Sequence, residues 1–254
     1  MRQIIDFAIV VPTLNEEHYI GTLLDSIISQ TVHPKEIVIV DAYSQDGTVK
    51  EIKKRQAQLS MLKYYKIPKF TIARQRNFGT SKTKSPHIIF LDADMKMQDV
   101  DTIERYIDEI NQKKPDIAAA ENLPLSSDPR DIIYYKWMHL VNMSIKPFWP
   151  VATTMNLYVR RSIFEKVGGF DEHVRIWEDC NLIQRVNKAK GRFIFLQNPK
   201  LYTSVRRLQK EGRFKMNIKS FLAFLQIILF GYHDIRVKYD FGHFGKETKS
   251  LKRI

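Results

Sequence analysis

The 254-residue sequence contains a single cysteine, Cys180. One thiol excludes an intrachain disulfide framework and any metal site built on cysteine ligands, and it fits a reducing compartment. The sequence also lacks a run long enough to cross a bilayer. Its most apolar stretch, residues 220–232, has 13 residues including Gln226, against the roughly 20 that a spanning helix needs. Near the amino terminus Asp6 interrupts the apolar residues early and no small-residue cleavage site follows, so no signal peptide is expected. Internal repeats and low-complexity segments are absent. What remains is one large domain, or one domain with a short appendage, whose 44% apolar content supplies a sizeable core.

Charge is present but unevenly placed. The net charge is +13, yet residues 1–183 hold 24 Lys/Arg and 24 Asp/Glu, while residues 184–254 hold 17 and 4. A neutral body thus carries a basic carboxyl-terminal quarter. A merely solubilising surface would intersperse both signs; a one-signed patch suits phosphate, whether of anionic lipid, a diphosphate or nucleic acid.

Apolar runs at residues 7–12, 36–41, 61–66, 87–91 and 116–120 read as strands, and their continuity implies cover on both faces. Between them, Asn15 is expected to cap a helix opening with Glu16 and Glu17 and burying Ile20, Leu23, Leu24, Ile27 and Ile28. Thr71 is expected to cap a second helix running to Ser81. Further helices are expected at 128–145, 162–167, 178–190 and 212–230, with strands at 155–159 and 192–196. The alternation specifies an α/β fold with a mostly parallel central sheet flanked by helices. Ligands of such sheets bind beyond the carboxyl ends of the strands, which directs attention to residues 13–16, 41–47 and 92–94.

The sharpest of these is Phe90-Leu91-Asp92-Ala93-Asp94, where a buried strand ends on two carboxylates one residue apart. Hard cations such as Mg²⁺ or Mn²⁺ take oxygen ligands and leave positions open for phosphates, and the bound cation acts as a Lewis acid on a departing diphosphate. In Val40-Asp41-Ala42-Tyr43-Ser44-Gln45-Asp46-Gly47-Thr48, Asp41 ends a strand where its carboxylate could accept from a base or ribose. Asp46 reads equally as a helix cap or a ligand contact.

These pieces, in order, resemble the family 2 glycosyltransferases. The matching segments are Val11-Pro12-Thr13-Leu14-Asn15-Glu16, Val40-Asp41-x-x-Ser44-x-Asp46-Gly47-Thr48, Ala73-Arg74-Gln75-Arg76-Asn77-x-Gly79 and Phe90-Leu91-Asp92-Ala93-Asp94. Arg160-Arg161-Ser162-x-Phe164 through Gly168-Gly169-Phe170-Asp171-Glu172 and Glu178-Asp179-x-x-Leu182 complete the set. The resemblance implies the Rossmann-like GT-A fold, with residues 1–210 as catalytic domain and 211–254 as a basic, partly apolar helical extension. It implies that Pro12, Thr13, Asn15, Glu16 and Asp41 line the base and ribose pocket of a UDP- or GDP-linked sugar. Arg74 and Arg76 would hold or flank the nucleotide, Asn77 would fix its loop, and Asp92, Ala93 and Asp94 would face the diphosphate, with Asp92 and Asp94 binding Mg²⁺ or Mn²⁺. Arg206 and Arg207 would close over the diphosphate. Asp179 would be the base that takes the acceptor proton as the anomeric carbon inverts, or a positioning group if the acceptor is a lipid phosphate. Gly169, Trp177 and Glu178 would face the acceptor; Gly169 and Trp177 read equally as packing, and Glu178 reads more readily as a helix cap. The double arginine departs from the Gln-x-x-Arg-Trp signature of processive relatives, so one sugar per acceptor is expected.

The acceptor implied is a glycan or polyprenyl-phosphate-linked glycan at a membrane. Residues 220–232 lie between Arg213, Lys215 and Lys219 on one side and Arg236 and Lys238 on the other, a pattern that suits an interfacial helix on an anionic surface, with a core helix as the alternative. Aromatic residues 137–150 form a second candidate. Together these place the protein at the cytoplasmic face of a membrane as a peripheral protein. Two other readings compete. A nucleotidyltransferase would place a Gly-rich, basic loop after the first strand, where this chain has Pro12-Thr13-Leu14-Asn15-Glu16. A nucleic-acid-binding protein could use the basic tail, with aromatics near Lys238-Tyr239-Asp240-Phe241, but no binding motif accompanies it and no nucleic-acid partner is expected.

Overall fold

The computed structural model describes residues 5–68, 71–152 and 156–233. The chain begins with β1 (Phe7–Thr13), α1 (Ile20–Ile28), β2 (Glu36–Asp41), α2 (Thr48–Gln56), β3 (Leu62–Lys66), α3 (Ile72–Ser81) and β4 (His87–Leu91). It continues through β5 (Met95–Lys96), α4 (Thr102–Lys113), β6 (Ile117–Pro124), α5 (Pro129–Ile145), β7 (Asn156–Arg160), α6 (Arg161–Lys166), α7 (Glu178–Lys188), β8 (Phe193–Thr203), α8 (Arg206–Glu211) and α9 (Arg213–Phe230). The strands form one sheet in the order β3-β2-β1-β4-β7-β6-β8-β5. β1 pairs parallel with β2 and β4, β2 with β3, and β6 with β8, whereas β7 and β5 run against their neighbours. The expected mostly parallel α/β sheet is the one observed.

Side-chain alternation explains why the central strands read as unbroken apolar runs. Ile9, Ile37 and Ile89 belong to a core that includes residues of α1 and α4. Val10, Val38 and Phe90, one residue on in each strand, belong to a second core shared with α3, α6 and α7. Each such side chain, fully buried, contributes on the order of 1.5–3 kcal/mol. Gly79 on α3 permits that helix to approach the sheet, because a Cβ there would stand 2.4 Å from Val10 Cγ1.

Several expectations need correction. Asn15 does not cap α1. It has φ +56, its Oδ1 accepts from Gln45 N at 2.9 Å, and its own N–H goes to Ser44 Oγ at 2.9 Å. The N–H groups of Glu16 and Glu17 donate to Thr48 Oγ1 and Asp46 Oδ2, so the β2 loop satisfies the donors that a cap would have served, and α1 starts only at Ile20. Thr71 does cap α3, accepting from Arg74 N. The strand at 116–120 extends to Pro124, and that at 192–196 to Thr203. Beyond an irregularity at Ala120/Glu121 these two strands stay paired to Pro124 and Thr203, where core residue Leu201 sits between exposed Lys200 and half-buried Tyr202. Met155, expected in β7, and the basic and aromatic residues from Arg236 onward lie outside the described residues.

Candidate active site

β1, β2 and β4 end side by side. Thr13 is level with Asp41 across the β1–β2 pair, and β4 leads directly into Asp92 and Asp94 on the other side of β1. Parallel pairing therefore gathers the three carboxylates along one rim, because strands of equal direction end together. Asp41 is fully buried and internally satisfied. It accepts from Ser44 N at 3.1 Å, from Ser44 Oγ, and from Tyr64 OH at 3.3 Å. Burial and the neighbouring Asp41 push the Tyr64 phenol up to about 12. Both Asp46 oxygens are taken, Oδ1 by Thr48 and Oδ2 by Glu17 N, so Asp46 fastens the two loops to each other. Pro12 and Ala93 are buried at the strand ends, and Thr13 donates its hydroxyl to Val40 O at 3.3 Å.

Two arginines face the Asp92–Asp94 pair. Arg76, buried on α3, donates from Nη2 to Asp92 Oδ1 and from Nη1 to Glu178 Oε1, both at 2.9 Å. Its guanidinium lies 5.3 Å from the Phe170 ring centre. Arg206, at the start of α8, holds Glu16 through both nitrogens at 2.7 and 2.5 Å, stands 3.4 Å from Asp94 Oδ2, and lies 4.5 Å over the Tyr19 ring. Burial, reinforced by Asp92 and Glu16 against the opposing pull of Arg206 and Arg207, raises the Asp94 carboxyl to about 7. Burial likewise raises Glu16 and Glu178, each opposed by its arginine. Arg74, two residues from Arg76, is half exposed and stands 3.8 Å from Glu172.

On the other side, Trp177 enters α7 in the left-handed region (φ +61, ψ +37) and presents Glu178 and Asp179 in its first turn. Of the five non-glycine residues with positive φ among the described residues, Asn15, Tyr43 and Trp177 border this rim; backbone held in such conformations clusters at functional sites. Asp179 Oδ1 accepts from Cys180 N at 2.8 Å, and its charge reaches Arg76. Asn77 holds the preceding loop at both polar groups of one residue, accepting from Phe170 N and donating to Phe170 O, each at 2.8 Å. Gly169 is buried with φ +70, and a Cβ there would meet Asn77 Oδ1 at 2.8 Å and Phe164 at 3.2 Å. The structure therefore gives Gly169 a loop-closing role. Gly169→Ala is expected to lower stability by about 1–3 kcal/mol in urea unfolding.

Sequence reasoning did not identify Tyr19, Tyr64 or Tyr135. Tyr135 on α5 has its phenol pushed up by burial and by the charge of Asp94. The aromatic richness of residues 134–137 was the available signal. No group of three or more His, Cys, Asp and Glu side chains forms a closed metal cage among the described residues. Asp92 and Asp94 are carboxylates of the type that would suit a Mg²⁺-type ion, which one or two carboxylates hold and substrate phosphates complete. The largely covered carboxyl of Asp94, destabilised as an anion, is what a cation there would relieve. A cavity of about 380 Å³ lined by Ile5, His87, Asn111 and Arg160 lies at the opposite end of β4 and carries none of these groups.

Residues 8–168 match the family model described as Glycosyl transferase family 2. Among curated proteins, the O-antigen chain rhamnosyltransferase RfbN of Salmonella typhimurium is 26% identical over 198 residues, covering 71% of this chain and 60% of its own. The glycosyltransferase AglE of Haloferax volcanii is 28% identical over 194 residues, covering 72% and 61%. The chain thus spans about three-fifths of the length of these two relatives. Among solved structures, the mannosyltransferase PcManGT of Pyrobaculum calidifontis, in complex with GDP-Man and Mn²⁺, superposes with TM-score 0.70 at 20% identity, covering 91% of this chain and 65% of that one. S. aureus TarS 1-349 with UDP-GlcNAc superposes with TM-score 0.62 at 21% identity, covering 79% and 58%. These likenesses establish the shared fold.

Proposed function

The chain belongs to glycosyl transferase family 2, and from that premise we propose that it moves one sugar from a UDP- or GDP-linked donor to a lipid-linked or cell-surface glycan acceptor, inverting the anomeric carbon. The observation that carries the reading is the Asp92–Asp94 pair at the end of β4, set between Arg76 and Arg206. PcManGT with GDP-Man and Mn²⁺, and TarS with UDP-GlcNAc, support a nucleotide-sugar donor by fold likeness. The name of RfbN supports a glycan acceptor.

Asp92 and Asp94 would hold the metal, Mg²⁺ or Mn²⁺, which when bound offsets the charge of the departing diphosphate. Arg206 and Arg207 take the diphosphate oxygens when the donor enters, with Arg206 leaving Glu16. Residues 12–16 and Asp41 shape the base and ribose pocket; Asp41 reaches a ligand once Ser44 gives up its two contacts. Asp179 takes the proton of the acceptor hydroxyl, and Glu178 keeps Arg76 between the two halves of the site. Trp177 offers a ring for the acceptor sugar. Residues 1–210 form the catalytic unit. Residues 211–254 form the basic extension that rests peripherally on an anionic membrane surface, at its cytoplasmic face. Among the described residues no helix is long and apolar enough to cross a membrane.

Thermal melting against UDP-, GDP- and dTDP-sugars tests this reading. One donor is expected to raise the melting temperature in Mg²⁺ or Mn²⁺, as ligands that bind only the native state do. No shift with any donor in either metal contradicts it. The Asp94 carboxyl adds a pH dependence. Its folded value, about 7, lies above its ordinary 3.8, so the metal-free protein loses stability as pH rises between those values, while metal binding needs the ionised form. Metal-dependent donor binding is expected to be full above pH 7 and to weaken as pH falls through it, with proton release on binding. Calorimetry in buffers of different ionisation enthalpy measures both.

A further inference from the structure

Two helices beside the site carry apolar side chains away from the core. On α5, Ile133, Trp137 and Leu140 recur at i, i+4 and i+7 and are 66%, 50% and 64% exposed. On α9, Phe221, Leu225 and Leu229 form a similar stripe, whereas Ala223 and Ile227 on the other side of that helix are buried. Single exposed apolar residues need no explanation, but periodic stripes on adjacent elements mark a contact surface.

The helices are fastened at two points. Arg213, the first residue of α9, pairs with the buried Asp131 at 2.6 Å and with Asp128 at 3.1 Å, both at the start of α5. Phe224 lies 5.7 Å from Trp149, just beyond the end of α5, and 6.4 Å from Trp177 at the head of α7. Past α9, His233 reaches Asp171 at 2.9 Å. Helix α9 therefore runs along the side of the site where Glu178 and Asp179 stand.

Charge identifies the occupant. Residues 128–150 hold Asp128 and Asp131 against Arg130, Lys136 and Lys146, and residues 206–233 hold Glu211 against Arg206, Arg207, Lys210, Arg213, Lys215 and Lys219. Arg213 and Lys219 are paired with those acids, and both stretches stay net positive. A second copy of this chain would set cations against cations. An anionic lipid surface complements both the charge and the apolar stripes. We propose that α5 and α9 together form one lipid-contact face, so that part of the catalytic unit, and not the extension alone, rests on the bilayer and turns the Asp179 side of the site toward the headgroups. This inference rests on the membrane-surface reading above and joins its two separate candidates, residues 137–150 and 220–232, into a single face.

The experiment is co-sedimentation of the full chain with mixed phosphatidylcholine–phosphatidylglycerol vesicles, beside pure phosphatidylcholine. The parent is expected to pellet with the anionic vesicles. Trp137→Ser/Leu140→Ser and Phe221→Ser/Leu225→Ser/Leu229→Ser are each expected to bind about tenfold more weakly or worse. Donor-induced thermal stabilisation, retained in both variants, shows that they fold and keeps this test separate from the donor reading. In the otherwise native chain, brominated acyl chains are expected to quench tryptophan emission, and Trp137→Phe to remove much of that quenching. If the α9 variant loses binding but the α5 variant and the Trp137→Phe quenching match the parent, α5 is not in contact and the inference falls. A parent that ignores anionic vesicles, or that is dimeric and turns monomeric in the variants, overturns it and the membrane reading together.

Discussion

Asp179→Asn is expected to lower turnover by about 10²- to 10⁴-fold, the range over which a positioned general base contributes. Asparagine keeps the shape and an oxygen for Cys180 N, which Asp179 Oδ1 accepts at 2.8 Å, so fold and donor-induced stabilisation should stay close to those of the parent. The capacity to take a proton is removed, together with the charge that reaches Arg76. Single-turnover measurements with saturating donor separate this effect from binding. A near-parental rate would remove Asp179 as base and point to an acceptor that attacks already ionised, such as a phosphate.

The second large effect concerns stability. Arg76 is 3% exposed and bridges Asp92 to Glu178, itself 8% exposed. Arg76→Met leaves Glu178 buried without its cation, and breaking a buried pair from one side costs about 3–5 kcal/mol. The Asp92 arm adds less, since that side chain keeps 29% of its exposure. Glu178→Gln in the same chain should restore part of the loss by removing the stranded charge, while activity stays low because Asp92 has lost its partner. Urea unfolding of the two single variants and the double variant measures the coupling. A loss below about 1 kcal/mol for Arg76→Met would show that the bridge is not what orders this part of the site.

The contrast between those residues and their surroundings shows what a sequence reveals. The central strands were legible because both faces are covered, which turns β1, β2 and β4 into runs of Ile, Val and Phe. The carboxylates were legible because they follow those strands directly. Helix α2 gave little signal: of its nine residues only Thr48 and Ile52 are buried, and Arg55 ties it to α1 through Asp25. The outer halves of β6 and β8 gave a shorter signal, since an irregularity at Ala120/Glu121 interrupts the pairing and exposed Gln197 and Asn198 break the apolar run of β8 before Leu201 returns to the core. Within the site, the partners of the charges were hidden by distance along the chain. Arg76 finds Glu178 across 102 residues and Arg206 finds Glu16 across 190. The family resemblance implied a place for Arg76 near the nucleotide; the packed fold turns it inward to join the end of β4 to the head of α7. Asn15 shows the same limit on a smaller scale, because a good capping residue was diverted by a neighbouring loop that only the parallel β1–β2 pairing brings near.

The central claim is that the carboxylates after β4 hold the diphosphate end of the donor through a divalent cation. Its most direct test is titration of parent and Asp94→Asn with the nucleotide diphosphate of the preferred donor, in Mn²⁺ and in chelator. The parent is expected to bind in Mn²⁺ and to lose most of that affinity in chelator. Asp94→Asn should bind on the order of 100-fold more weakly in Mn²⁺, at least the loss seen when a ligand's outer-shell partner is removed, and should differ little from the parent in chelator. Equal affinity of the two proteins in Mn²⁺ would contradict it.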